Sequence, residues 1–161
     1  MINGGNTMSS IVLGQFNKVR GWTIQISEKL SEEMVNIQPE GFNNTIKWHL
    51  GHLVTETEYF MFELSKRPMN IPDHYNDFFA PGTKPANWIG QAPPLTELIN
   101  ELKDQLKRVN ENPFETFHQI LEKPVHGFTT MMDAASFSVL HESVHIGHIE
   151  AMERLLKISD L

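Results

Sequence analysis

A chain of 161 residues that is 40% hydrophobic and 20% charged can build one packed domain and is too short for two ordinary ones. Its net charge of −7 disfavours nucleic acid and anionic membrane surfaces as partners, since both need basic patches. The absence of cysteine excludes disulfides and protein thiolates, so any metal must be held by His, Asp or Glu.

Residues 1–8 are rich in Gly and Asn and are expected to fray. Ser9 or Ser10 can cap a first helix, on which Val12, Phe16, Val19, Ile26 and Leu30 share a face as far as about Met34. Gln38-Pro39-Glu40-Gly41 reads as a turn. Asn43, Asn44 or Thr45 can cap a second helix with Ile46, Leu50, Leu53, Thr57, Phe60 and Leu64 as its stripe, ending near Ser65. Trp48, Tyr59 and Phe62 spread apolar bulk around the rest of that cylinder, which predicts burial on more than one side; one side could face the bundle and another a partner subunit.

Residues 67–94 form a long connection broken by Pro68, Pro72, Pro81, Pro85, Pro93 and Pro94. Phe78, Phe79 and Trp88 can anchor it, with room for one short helical turn, and a crossover lying over the helices is favoured over a lid. A third helix carries Leu95, Leu98, Ile99, Leu102, Leu106 and Val109 to about Asn110, with Asp104 and Arg108 paired on its outer face. Residues 113–130 read as irregular, with space for a short helix from Phe114 to Leu121 and no useful strand-like alternation. Thr129 or Thr130 can cap a fourth helix running to about Ile158. The expected fold is a single all-α domain over 1–161: a four-helix bundle with a long crossover connection between helices two and three. With no secretory signal and no apolar run near the roughly 18 residues of a membrane span, a soluble cytoplasmic protein is expected.

The fourth helix contains His141-Glu142-Ser143-Val144-His145-Ile146-Gly147-His148. At about 100° of rotation per residue, the three imidazoles fall within roughly 60° of arc, with Phe137, Leu140, Val144, Met152 and Leu155 on what should be the inward face. His49 and His52 form a second group on the second helix. Each buried imidazole needs its own polar partner. Three on one face are more readily explained by shared ligation of a metal, although a polar cleft without metal is the alternative. Sites in bundles are built from facing helices, so the two groups would have to meet. Periodicity puts His49 nearer than His52 to the apolar stripe of the second helix. Glu56, one turn after His52, can orient that ring or lie at the surface. Glu142 reads as a solvated or intersubunit residue rather than a general base, because no further carboxylate ligand of the metalloprotease type follows.

Asn44-Thr45-Ile46-Lys47-Trp48-His49-Leu50-Gly51-His52-Leu53 and the stretch from His141 to Ile149 resemble the two signatures of the DinB/YfiT family of metal-dependent bundle proteins. The resemblance runs from about Ser9 to Lys157. It implies a divalent metal, usually nickel or zinc, held by His52, His141 and His145 with water in the open positions. It also implies a homodimer. His49 is then a boundary residue or a support for a ligand. His148 stands where family members often carry Gln, as a supporting donor or cavity lining. The activity implied is that of a low-molecular-weight-thiol S-transferase, of the kind that uses bacillithiol or mycothiol, or a thiol-dependent isomerase. The alternatives are a metal-dependent hydrolase using metal-bound water, and a non-catalytic metal- or small-molecule-binding protein.

Overall fold

A computed structural model describes the backbone of residues 4–159 and the side chains of 8–158. Four long helices carry the fold: α1 (Gly4–Ser27), α3 (Ile46–Met61), α5 (Leu95–Asn110) and α6 (Met131–Ser159). Two short ones, α2 (Glu32–Asn36) and α4 (Tyr75–Phe79), sit in the connections. α1 packs on α5 and α6, and α3 packs on the same two helices from the other side. No described helix is long and apolar enough to cross a membrane.

Thr45 starts α3 by accepting a hydrogen bond from Trp48 N, and Thr130 and Asp133 cap the start of α6 reciprocally. Leu95, Leu98, Ile99, Leu102 and Val109 of α5 are all buried. Because α5 follows Pro94, it has no capping side chain of its own. Glu32 of α2 instead accepts from Leu95 N at 2.7 Å and pairs with Lys47.

Several elements differ from the sequence expectation. The first helix stops at Ser27 rather than near Met34, because extended Ser31 caps the separate α2. It starts at Gly4 rather than Ser9, since lengthening a formed helix is far easier than nucleating one; residues 1–3 lie outside the described residues. α3 is buried almost all round, but by α2, α4, α5 and α6 of its own chain rather than by a partner subunit. On α6, Leu140 is 60% and Val144 52% exposed, and Leu155 is exposed too. The inward row keeps Met152 and otherwise runs through Ala135, Ser138, Glu142, Ile146, Ile149 and Leu156, a spacing of three and four residues that ordinary hydrophobicity counting misses because two members are polar. Residues 120–130 are not irregular: β1 (Ile120–Val125) and β2 (Phe128–Thr130) form an antiparallel hairpin. His126 (φ 51°) and Gly127 (φ 85°) make its turn, the positive-φ pair that a two-residue hairpin needs. β1 is mostly exposed, so no apolar alternation announces it.

Polar side chains tie the long helices together from inside. Arg20 of α1, fully buried, pairs with Glu142 of α6 through Nε–Oε1 at 2.8 Å and Nη2–Oε2 at 2.9 Å. It also donates to Thr57 Oγ1 of α3 (2.7 Å) and to Gln105 Oε1 of α5 (2.8 Å). Thr23 donates to Glu142 Oε1. Gln105 continues to Val54 O and Glu58 Oε1. Arg108 pairs with Asp104 at 3.6 Å, as the i,i+4 spacing predicts, and also reaches inward to buried Glu58 at 2.5 Å. Glu142 is therefore neither solvated nor intersubunit, and with both oxygens engaged in this pair it is not a general base.

Replacing Glu142 with Ala strands a buried guanidinium. Glu142→Ala is expected to lower the unfolding free energy by roughly 3–5 kcal/mol, measured by urea denaturation. Arg20→Met combined with Glu142→Leu should cost less than Glu142→Ala alone, because no unpaired charge is left.

Candidate metal centre

His52 on α3 meets His141 and His145 on α6. His141 Nε2 lies 3.2 Å from His52 Nε2 and 3.1 Å from His145 Nε2. One ring nitrogen from each of the three falls within 4.8 Å of the others. These are the three histidines that the family resemblance selects.

The ring of His52 is fixed on two sides. Its Nδ1 lies 2.8 Å from Phe79 O. A carbonyl can only accept, so Nδ1 carries the proton and Nε2 presents its lone pair. Trp48 stacks on the ring at 4.5 Å and 13°, and its indole N–H donates to Thr83 Oγ1. Phe79 gets close enough because residue 51 is glycine: a Cβ there would sit 2.4 Å from the buried Phe79 ring. An interior helical glycine marks close approach, and this was the available sequence signal for the contact. The connection thus supplies the acceptor for His52, and Glu56 does not.

His49, which periodicity favours over His52, lies behind the cluster. Its Nδ1 is 2.7 Å from His145 Nδ1, so one of the two donates and the other accepts. With His49 accepting, His145 Nε2 presents its lone pair beside that of His52. His148 is exposed and shares a separate ≈ 320 Å³ cavity with His49 and Phe42. It makes an edge contact with Phe42 and does not join the three.

Burial keeps these rings neutral. It lowers the pKa of His141 to about 4, of His49 to about 3 and of His145 to about 2, with the neighbouring imidazoles adding to the effect. Burial also lowers His52, and its bond to Phe79 O partly opposes the shift. Neutral imidazoles with free lone pairs are the form that binds metal. Nitrogens bound about 2.0–2.1 Å from one ion stand about 3.0–3.4 Å apart when adjacent, and the two short contacts here match that spacing. The donor set therefore fits a divalent cation.

The cluster forms one end of a ≈ 600 Å³ cavity between α3, α6 and the hairpin. Glu56, Phe60, Phe128 and Phe137 are among its other lining residues. Glu56 is half-buried, and burial pushes its carboxyl up to about 7.

A sequence model of the DinB superfamily matches residues 15–149. No curated protein matches the chain.

Gly51→Ala should push Phe79 off α3 and cost about 1–3 kcal/mol of stability, while freeing the His52 ring. Thermal denaturation and the His52 ring-nitrogen NMR shifts report the two effects; unchanged shifts would refute the link. The imidazoles also predict a pH dependence for metal-free protein. Unfolded histidines take up protons below about 6.5, whereas the folded ones hold out to about 4 (His141), 3 (His49) and 2 (His145). The unfolded chain then binds more protons, so stability falls as pH drops from 6.5 toward 4. Glu56, raised to about 7, acts in the opposite sense over part of that range, one group against four. A Tm that stays flat between pH 7 and pH 5 would contradict neutral buried rings.

Proposed function

The chain belongs to the DinB superfamily, and on that premise we propose that it is a metal-dependent enzyme, a low-molecular-weight-thiol S-transferase. His52, His141 and His145 hold a divalent nickel or zinc ion. The observation that carries this reading is the convergence of three Nε2 atoms, two contacts of 3.1 and 3.2 Å, on the lining of a cavity. Three neutral ligands leave the ion its full charge, which acidifies a bound thiol or water. The chain's own residues do the positioning. Phe79 O and the Trp48 ring hold His52, His49 holds His145, and Pro81 and Gly82 after α4 line the cavity together with the hairpin. We read the packing of α1, α3, α5 and α6 as the family's four-helix bundle, with residues 67–94 as its long crossover.

The protein acts as a homodimer in this reading. Support comes from exposed apolar residues on adjacent helices: Ile11 and Trp22 on α1, and Leu140, Val144 and Ile158 on α6. These positions fall within roughly 60° of arc on each helix, which makes a stripe rather than a scatter.

His145→Ala should abolish stoichiometric metal, measured by elemental mass spectrometry on untagged protein, while the far-ultraviolet CD spectrum stays helical. Retained metal would refute the ligand set. Product formation from a small thiol and an electrophile should be lost in the same variant; thiol-independent ester cleavage by the parent protein would favour the hydrolase reading instead.

A further inference from the structure

The series of imidazoles does not end at the three clustered rings. His145 and His49 meet through their Nδ1 atoms at 2.7 Å. When His145 binds a metal through Nε2, its proton is on Nδ1 and is donated to His49 Nδ1. Burial keeps His49 neutral, so its single proton is then on Nε2. His49 is only 6% exposed. Its Nε2 nevertheless has no hydrogen-bond partner among the described residues and is not one of their buried unpaired atoms. The ≈ 600 Å³ cavity is lined by His145 and not by His49, and the ≈ 320 Å³ cavity by His49 and not by His145. The two rings therefore connect the cavities, and the free N–H of His49 belongs to the smaller one.

The smaller cavity suits a hydrogen-bond acceptor. No Asp or Glu lines it. Asn44 buries its Oδ1 and leaves its amide NH2 for the cavity that it lines. The cavity lies at the start of α3, with Asn44 just before the capping Thr45 and His49 one turn in, where the helix dipole favours negative charge. The exposed His148 ring stands 5.4 Å from that of His49, between centroids. Two N–H donors on different residues match the two oxygens of one carboxylate. A ligand imidazole ordinarily passes its second N–H to a carboxylate, a carbonyl or water. His52 has the Phe79 carbonyl. The series from His145 through His49 reaches no protein acceptor among the described residues.

We propose that the smaller cavity binds a carboxylate, held by His49 Nε2–H and the Asn44 amide, and that carboxylate and metal strengthen each other's binding. The coupling runs through one proton. The metal needs His145 Nε2 bare, which puts the His49 proton on Nε2, where the carboxylate meets it. Without metal, the proton between the two rings is free to sit on His49 Nδ1 instead. His49 then turns a lone pair toward the carboxylate, a repulsive contact. A bound carboxylate in turn favours the arrangement in which His145 is a ligand, and such coupling is reciprocal. The proposal rests on the reading of His145 as a metal ligand and adds a site that acts on the metal from behind.

The test titrates acetate into the full-length protein at neutral pH, metal-free and saturated with zinc, and follows the Asn44 side-chain amide and the His49 ring nitrogens by NMR. Acetate should shift both sets of signals and bind about tenfold more tightly to the zinc form. Zinc affinity, measured against a competing chelator, should rise by the same factor in saturating acetate. His49→Phe keeps a ring in place but removes the shared proton, so at saturating zinc the gain should shrink to about twofold, the part due to the charge of the ion alone. Asn44→Ala should weaken acetate in both forms while metal content stays unchanged. The proposal is overturned if acetate leaves the Asn44 amide unmoved and shifts only His52 and His141, if the two affinities are equal, if His49→Phe keeps the tenfold gain, or if Asn44→Ala has no effect on acetate. A protein that takes up no zinc would refute the ligand reading and the proposal with it, whereas zinc uptake with unchanged acetate affinity refutes the proposal alone. Thiol transfer plays no part in the measurement, so its absence would count only against the enzymatic reading.

Discussion

The structure depends on one buried ion pair. Arg20 has five N–H donors, and all five are used: two on Glu142, one on Thr57, one on Gln105 and one on the Leu102 carbonyl. Each of the four long helices contributes to that set. Desolvating both charges is costly, so such a pair is a poor source of net stability compared with apolar packing of similar volume. What it does is fix geometry. Glu142 must face α1, and on a helix that sets where every other α6 residue points. His141 lies about 100° to one side and His145 about 60° to the same side, so both turn toward α3. The polar core is thus a rotational stop for the helix that carries two of the three clustered histidines.

The third histidine is set by a different device. His52 lies on a helix so thoroughly covered that its apolar pattern has no single direction. Its ring is aimed by a backbone carbonyl from the long connection, delivered because Gly51 lets Phe79 lie against the helix. The connection is therefore structural to the site without lining up any titratable group of its own. A second anchor keeps it there: Glu58, held by Arg108 and Gln105, accepts from Asn70 N at the start of the segment. The same buried network that sets α6 also fastens the beginning of the chain segment that sets His52.

Much of this was legible because apolar periodicity is a strong signal for long helices. The stripe of α5 matches residue by residue, Thr45 is one of the three caps that the sequence allows for α3, and Thr130 is one of the two it allows for α6. Periodicity failed where polar groups take core positions. Glu142 and Arg20 occupy sites that hydrophobicity reserves for Leu or Val, so Leu140 and Val144 were turned inward in error. It failed again at β1, where one strand of an exposed ribbon has no buried face to alternate with. The choice between His49 and His52 could not come from periodicity either. It follows from a contact between residues 27 positions apart, His52 and Phe79; the family motif favours the same residue without giving this reason.

Proton counting within the cluster adds a constraint that distances alone do not. His52 Nε2 has no proton, because the ring's one neutral-state proton is on Nδ1 facing Phe79 O. Its 3.2 Å contact with His141 Nε2 is a hydrogen bond only if His141 donates there. The 3.1 Å contact between His141 and His145 then draws on the same proton, shared with the His145 Nε2 lone pair in a three-centre bond. One N–H serves two acceptors, so among neutral rings neither lone pair has a donor of its own. Protonating a ring would relieve it, but burial drives all three away from the charged form. A cation seated among the three nitrogens satisfies every lone pair at once, with His145 free to donate its Nδ1–H to His49. The arrangement is thinly bonded as a hydrogen-bonded core, two acceptors on one proton, and consistent as a ligand set, which favours a metal over a polar cleft without one.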